Sequence, residues 1–527
     1  AVSIIGKAKV AADAAADGTT VRDHVRLLGS GTGYSGASGL HVFDGQGDVV
    51  GSGYDVCQFV AATSGLVLNC MGGGWGLLSG LELTFSHKPA VPIGFLNPQT
   101  GPIAEYSAGF TIAANVAIGY MNTIQPLNFQ FKLEMADSGC SGATAATAAT
   151  SLIAKGVVGI AGAACSGATL GAMPVAKDAG IPMVSYASTS PALTTAADDG
   201  YLFRVVPSDE QQGQALASVV KKAGYTNPAI LHMTNDYGAG FADAFETNFG
   251  TNCTKIGYNV ETQTSFATQI TAIKEANCDS LVMITYATDG AKIMEEAVTQ
   301  GLDLPVYGGD GIADAAFKNA FTDASAIEGI TATKPGAAPT TAYGGLFDAL
   351  FAQAIAANGL PSNYTAIYAR ETFDAIAAVG LAFAMAQVTP IETDGPKDML
   401  GVVVGSDASP FNGASGVHVF DANGDVVGSG YDICTFNSTL ALDCHSSWGL
   451  ITGLTDGGIA KKPADTTPTP TDNNTTTPTD NNTTTPTDNN TTPTEEEVKE
   501  AADEVPGFGL LSVFAAVGVV LVLRRRL

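Results

Sequence analysis

Short apolar runs alternate with helix-length stretches from residue 91 onward. The runs are VPIGFL from Val91, FQFKLEMAD from Phe129, and residues 157–162, 181–186, 229–233, 280–286 and 304–308. Most are continuous rather than alternating, which suits strands buried on both faces of a parallel sheet. Between them the chain is long enough for crossover helices. The first of these helices is predicted over 109–122, after the turn at Gly101-Pro102. The pattern predicts an α/β fold with doubly wound parallel sheets. A new strand-helix series opens after Arg204-Val205-Val206-Pro207-Ser208, so the sheet content divides into two lobes.

Residues 156–194 place chemistry on this pattern. Two consecutive strands each end in a hydroxyl-rich loop, the first at Cys165-Ser166 and the second at Ala187-Ser188-Thr189. In a strand-helix-strand unit both loops lie at the carboxyl edge of the sheet, where ligands bind in open α/β folds. Ser166 and Thr189 then face one crevice near free amides and the positive end of a helix dipole, a setting that suits a carboxylate. The same positions also suit ordinary helix capping by Ser166, Ser188 and Thr189.

Residues 34–59, YSGASGLHVFDGQGDVVGSGYDVCQF, recur at 411–436 as FNGASGVHVFDANGDVVGSGYDICTF. Both copies run on to a second cysteine and a Trp-Gly-Leu, at Trp75 and Trp448. The expected organisation is therefore a C-terminal remnant of a duplicated module over 1–85 and a complete module over 86–455. The repeat also removes two motifs from contention. Gly31, Gly33 and Gly36 fit a dinucleotide loop, but the second copy lacks these glycines. Asp421, Asn423 and Asp425 imitate a calcium loop, yet Val426 stands at its sixth position and Asp432 at its twelfth. A hairpin turn is the expectation there.

The 24 Lys and Arg against 51 Asp and Glu leave a net charge of −27, which repels nucleic acid. No nucleic-acid partner is expected. The eight cysteines pair most simply in sequence order: Cys57 with Cys70, Cys140 with Cys165, Cys253 with Cys278, and Cys434 with Cys444. No CxxC occurs and no histidine stands at zinc-ligand spacing, so disulfides in an oxidising compartment are expected rather than a metal site. Free buried thiols are the alternative.

The unit TPTDNNTT recurs three times over 469–492, within an expected disordered stalk at 456–505 that holds overlapping Asn-x-Thr acceptors from Asn473 to Asn490. Residues 506–527 then run from Pro506-Gly507-Phe508 through a short hydrophobic helix to Arg524, Arg525 and Arg526. This tail resembles the archaeal PGF-CTERM sorting signal. The resemblance implies cleavage by an archaeosortase and lipid attachment; a retained membrane anchor is the other reading. Both put the preceding residues outside the cell.

GPIAEYSAG, CSGAT, SYASTSPALT, FRVVPSDEQQG, NDYGAG, YGGDGI, ETFDAIAAVGLA and FNGASGVHVFDANGD follow one another in an order that resembles ABC-transporter substrate-binding proteins. The group is the leucine/isoleucine/valine-binding one, with a two-lobed type I periplasmic-binding-protein fold and a hinge. The resemblance implies that Ser166, Thr189 and the backbone of Ala187 hold a ligand carboxylate, and that Asp310 faces its ammonium. It also implies that Tyr106, Tyr237 and Tyr286 line the cleft, and that Cys140 and Cys165 match a disulfide of the group. Asp310 stands where the group commonly has Glu.

The implied function is capture of a branched-chain or related amino acid and delivery to an ABC permease. A sensor of amides or small acids, and a surface structural protein, are the alternatives. No cofactor is implied. Enzyme motifs such as GxSxG, HExxH and the P-loop are absent, and His232 is expected to be a packing residue.

Overall fold

The computed structural model describes residues 88–459 apart from 124–128, 337–341, 362–363, 365, 388–396, 399, 401–409, 427, 429, 456 and 458. It also describes the backbone of four earlier strands. The expectations for the stalk and the sorting tail fall outside these residues. Among the described residues no helix is long and apolar enough to cross a membrane.

The chain forms two compact units, Ala1–Ala90 with Asn128–Gln130, and Val91–Leu127 with Phe131–Leu527. In the first, β1 (Tyr34–Gly36) pairs with β2 (Gly39–His41), and β3 (Tyr54–Ala62) with β4 (Gly65–Trp75). Their registers set Tyr34 opposite His41, Cys57 opposite Cys70 and Tyr54 opposite Trp75. In the second unit Phe411 stands opposite His418, Cys434 opposite Cys444 and Tyr431 opposite Trp448. The duplicated sequence is thus also a duplicated set of strand pairings.

Among the described residues the second unit holds a separate two-stranded sheet and two large ones. One contains β5 (Ala90–Asn97), β6 (Gln130–Asp137), β7 (Ile160–Ala161), β8 (Met183–Ser185) and β9 (Leu202–Arg204), in the order β6-β5-β7-β8-β9. The other begins with β10 (Pro228–Met233), β11 (Thr254–Tyr258), β12 (Ser280–Ile284), β13 (Val306–Gly308) and β14 (Thr331–Pro335), in the order β11-β10-β12-β13-β14. Both lobes therefore share one topology, second-first-third-fourth-fifth, whose reversal of direction beside the first strand opens a ligand crevice. Every residue of β10 and β12 is buried, as their continuous apolar runs require. Helix Gly142–Ala154 packs on Ser166–Asp178 so closely that a side chain at Gly171 would overlap the Gly142 backbone.

After β14 the chain returns to the first lobe, where helix Ala369–Ala386 packs on β7 and β8. The hairpin of β15 (Phe411–Asn412) and β16 (Val417–His418) follows. The chain then crosses again, and β17 (Tyr431–Phe436), β18 (Leu442–Gly449) and β19 (Gly453–Leu454) extend the second sheet as antiparallel strands. This sheet is mixed rather than wholly parallel because the last crossing brings the chain to the β14 edge from the opposite direction. Cross-links tie the crossings together at the hinge. Tyr431 Oη donates to Ser208 O at 3.0 Å, and Gln212 Nε2 to Thr333 O at 2.9 Å.

Candidate functional site

The loops after corresponding strands of the two lobes meet at one small cavity of about 50 Å³. Tyr106 follows β5, Ser166 follows β7 and Ala187 follows β8. From the other lobe, Tyr237 follows β10, Tyr286 follows β12 and Asp310 follows β13. Each lobe contributes from its first, third and fourth strands, so a shared topology delivers six wall residues from six loops.

The first lobe presents neutral groups. Ser166 is the first residue of its helix, not the cap; Cys165 holds the capping position without a side-chain bond. The opening amides of that helix lack carbonyl partners within it. Ser166 Oγ accepts from Ser190 N at 3.2 Å, which joins the two loops. Ser188 Oγ donates to Ala163 O at 3.0 Å and contacts Thr169 Oγ1, so it braces the loop from beneath. Thr189 is buried behind the wall, and its hydroxyl has no hydrogen-bond partner. None of these hydroxyls caps a helix.

Arg204 supports this wall from within the protein. Its side chain is 1% exposed, donates from Nη1 to Ser190 O at 2.9 Å and pairs with Asp425 through two bonds of 2.6 and 2.7 Å. Thr194 closes the set, donating to Asp425 Oδ2 at 2.6 Å. The acid that imitates a calcium ligand is therefore committed to a buried ion pair, while Asp421 Oδ1 accepts amides of its own turn. Among the described residues no group of His, Cys, Asp and Glu could hold a metal ion.

The second lobe presents charge. Asp310, 5% exposed, accepts from Tyr237 Oη at 2.8 Å and from Tyr368 Oη at 2.6 Å. Burial raises its pKa against the pull of these bonds. Asp209, fully buried, has neither carboxylate oxygen hydrogen-bonded, although the Thr189 hydroxyl lies close enough to favour its ionised form. Burial first, and the charge of Asp310 second, raise its pKa well above the ordinary range. Two buried carboxylates thus face each other's field, and Arg204 is already paired elsewhere. A cation placed against Asp310 would relieve that repulsion.

Aromatic rings form the remaining walls. Tyr237 and Tyr286 stack at 5.6 Å, and Tyr106 stacks on Phe110 at 6.0 Å. Tyr286 is the capping residue of helix Ala287–Thr299, and its amide donates to Asp289, whose carboxyl burial pushes up to about 7. Tyr258 Oη also donates to Asp289. Disulfides join Cys140 to Cys165, Cys253 to Cys278 and Cys434 to Cys444. The first stands in the cavity wall, with Cys140 Sγ 3.9 Å from Tyr286 Oη.

Six of the seven expected site residues line the cavity, and Thr189 stands behind it. Sequence reasoning missed Tyr368, Asp209 and the apolar wall of Ile103 and Phe110. Asp209 stood within FRVVPSDEQQG, where an acid opening a helix has an ordinary capping explanation. Tyr368 carried no such sign. Its φ of 64° is a left-handed conformation that costs a non-glycine residue about 1–3 kcal/mol, held here by its bond to Asp310. His232 is a packing residue, with Nδ1 2.8 Å from Met233 O. His418 has one nitrogen, Nε2, facing both Asp374 at 3.0 Å and Ser415 at 3.1 Å, so the trio fastens the β15–β16 hairpin and lacks the two-sided relay of a hydrolase.

A family model described as the receptor family ligand binding region matches residues 111–439. The chain is 26% identical over 274 residues to the Leu/Ile/Val-binding protein of Escherichia coli K12, covering 50% of this chain and 73% of that protein. With Leu/Ile/Val-binding protein homolog 3 of Brucella melitensis it shares 25% identity over 353 residues, covering 65% and 90%. Among solved structures it is similar to the leucine-binding protein LivK of Thermotoga maritima, with a TM-score of 0.59 and 22% identity over 68% of this chain and 99% of that one. It is also similar to the branched-chain amino acid transporter substrate-binding protein LivJ of Streptococcus pneumoniae in complex with isoleucine. There the TM-score is 0.57 and the identity 25%, over 67% and 99%.

Proposed function

The chain belongs to the family of receptor ligand-binding regions, and on that premise we propose that its interlobe cavity captures an α-amino acid with an apolar side chain and delivers it to an ABC permease. One observation carries the reading: neutral amide and hydroxyl donors on one lobe oppose a buried acid on the other, with aromatic and aliphatic walls between them. A zwitterion satisfies both ends, its carboxylate near Ser166 and Ala187 and its ammonium at Asp310, with Tyr237, Tyr368 and Asp209 behind the acid. The relatives named for leucine, isoleucine and valine support a branched aliphatic side chain against Ile103 and Phe110.

Asp310 adds a constraint of its own. Its short side chain is held by two tyrosine hydroxyls, so the ammonium must reach toward the second lobe. Closure of the lobes meets this requirement and excludes water from both contacts. The disulfides support a site of action outside the cytoplasm. The stalk and the Pro-Gly-Phe tail support tethering there after processing by an archaeosortase.

A thermal-shift screen of the purified chain against amino acids, short amides and small carboxylates tests the proposal. Leucine, isoleucine or valine is expected to raise the melting temperature in proportion to the logarithm of its concentration. Shifts confined to amides or acids would leave a receptor of different specificity. No shift across the panel would leave the fold as a structural surface protein.

A further inference from the structure

Three Asn-x-Thr sequences precede the stalk, at Asn252, Asn363 and Asn437. Such a sequence is an acceptor for N-linked glycans only where its amide nitrogen and its backbone can be reached. Asn363 lies outside the described residues. The other two are placed very differently.

Asn252 is occupied by the fold. Its Nδ2 donates to Glu246 at 2.5 Å, its middle residue is Cys253 of the disulfide to Cys278, and its Thr254 opens β11. A transferase would have to break a hydrogen bond, work beside a cross-link and peel back a strand. Asn437 stands instead in the turn between β17 and β18, with Ser438 and Thr439 exposed. Its Oδ1 accepts from Thr439 N at 2.9 Å, from Thr439 Oγ1 at 2.7 Å and from Ala441 N at 3.2 Å. All of these bonds fall on the oxygen. The nitrogen is left for chemistry, and the donors on Oδ1 stabilise the negative charge that this oxygen gains as Nδ2 gives up a proton.

We propose that Asn437 is an N-glycosylation site of the folded protein and that Asn252 is not. The co-reactant is an oligosaccharide joined through phosphate to a lipid, acted on by an oligosaccharyltransferase. Asn437 Nδ2 forms a bond to the anomeric carbon, the bond from that carbon to the phosphate oxygen breaks, and the lipid phosphate leaves with the electron pair. The amide proton passes to a base of the transferase. No oxidant or reductant is involved. The inference is independent of the ligand assignment and requires only that the chain meets such a transferase outside the cytoplasm, as its disulfides support.

The position has a consequence for the cleft. Phe436, Leu440, Ala441 and Leu442 of the same hairpin line an open cavity of about 900 Å³ that shares Tyr106 with the ligand site. A glycan on Asn437 is therefore rooted on the hairpin that lines this open cavity.

The test is glycopeptide mass spectrometry on the full chain, secreted from a host that transfers N-glycans and purified in the folded, disulfide-bonded state. The expected result is a glycan on the peptide containing Asn437 and an unmodified peptide containing Asn252. Asn437→Asp keeps the oxygen acceptors that shape the turn but lacks the nitrogen, so the glycan should be lost while the melting temperature changes little. Thr439→Ser should retain the glycan and Thr439→Ala should lose it. A bare Asn437, whatever the state of the stalk acceptors, would overturn the proposal. So would an occupied Asn252 in the folded protein.

Discussion

The two walls of the cavity solve opposite problems with opposite means. On the first lobe Ser166 and Ala187 offer neutral donors, and behind them Arg204 and Asp425 neutralise each other inside the protein. On the second lobe Asp310 is buried with tyrosine hydroxyls but no cation, and Asp209 adds an unpaired carboxylate behind it. The charges behind the neutral wall are balanced without ligand. The acidic wall carries a strain that a positive group would relieve, so under the proposed function the preference for an ammonium is built from stability given up in the empty protein.

Asp310→Asn should break this contrast most strongly. Losing one partner of a buried charge pair costs about 2–5 kcal/mol of binding, on the order of a hundredfold or more in affinity. Calorimetry with leucine should show it. The empty variant should meanwhile be at least as stable as the wild type, because the repulsion with Asp209 is gone. The pH dependence has a definite sign. Both acids have folded pKa values raised above the ordinary 3.8, so the stability they contribute is fully present below that pH and is lost as pH rises through the raised values. Urea unfolding of the empty protein should therefore show the advantage of Asp310→Asn growing from acid toward neutral pH. An advantage that stays constant with pH would contradict a raised Asp310.

Asp425→Ala tests the first wall from behind. It leaves Arg204 buried without its partner, which costs about 3–5 kcal/mol of stability, and it frees the Ser188–Ser190 carbonyls from a fixed guanidinium. Denaturant midpoints should fall accordingly, and ligand affinity should fall with them as the loop loosens. Unchanged affinity in a destabilised variant would mean that the loop holds its shape without Arg204. Ser166→Ala should have the smallest effect. Removing one neutral donor to a ligand carboxylate costs about 1.5–3 kcal/mol in binding, and leaving the buried Ser190 N–H without its acceptor costs the empty chain about 1–3 kcal/mol of stability.

Much of this was legible along the chain because it is local. Continuous apolar runs can be satisfied only by burial on two faces, and β10 and β12 are buried throughout. Strand-following loops with hydroxyls or an acid can be read one at a time, and Ser166, Ala187, Tyr237, Tyr286 and Asp310 all reached the cavity. Pairing the cysteines in sequence order, the simplest reading, matches three bridges, and the fourth pair, Cys57 and Cys70, are register partners on adjacent strands. What failed to show was whatever depends on two distant segments meeting. Arg204 reads as the end of a strand and Asp425 as part of a turn, and nothing in either stretch announces the other.

The sequence by itself determined the strand-helix alternation, the duplication and the chemical character of each loop, since these follow from local periodicity and residue type. Tertiary structure decided which charges cancel and which remain. It spent Asp425 on Arg204, left Asp209 and Asp310 without a cation, turned Tyr368 into a partner of Asp310 and set Thr189 behind the wall. The reason is physical: the energy of a charge depends on its burial and on neighbours more than 200 residues away, and those are properties of the folded arrangement alone.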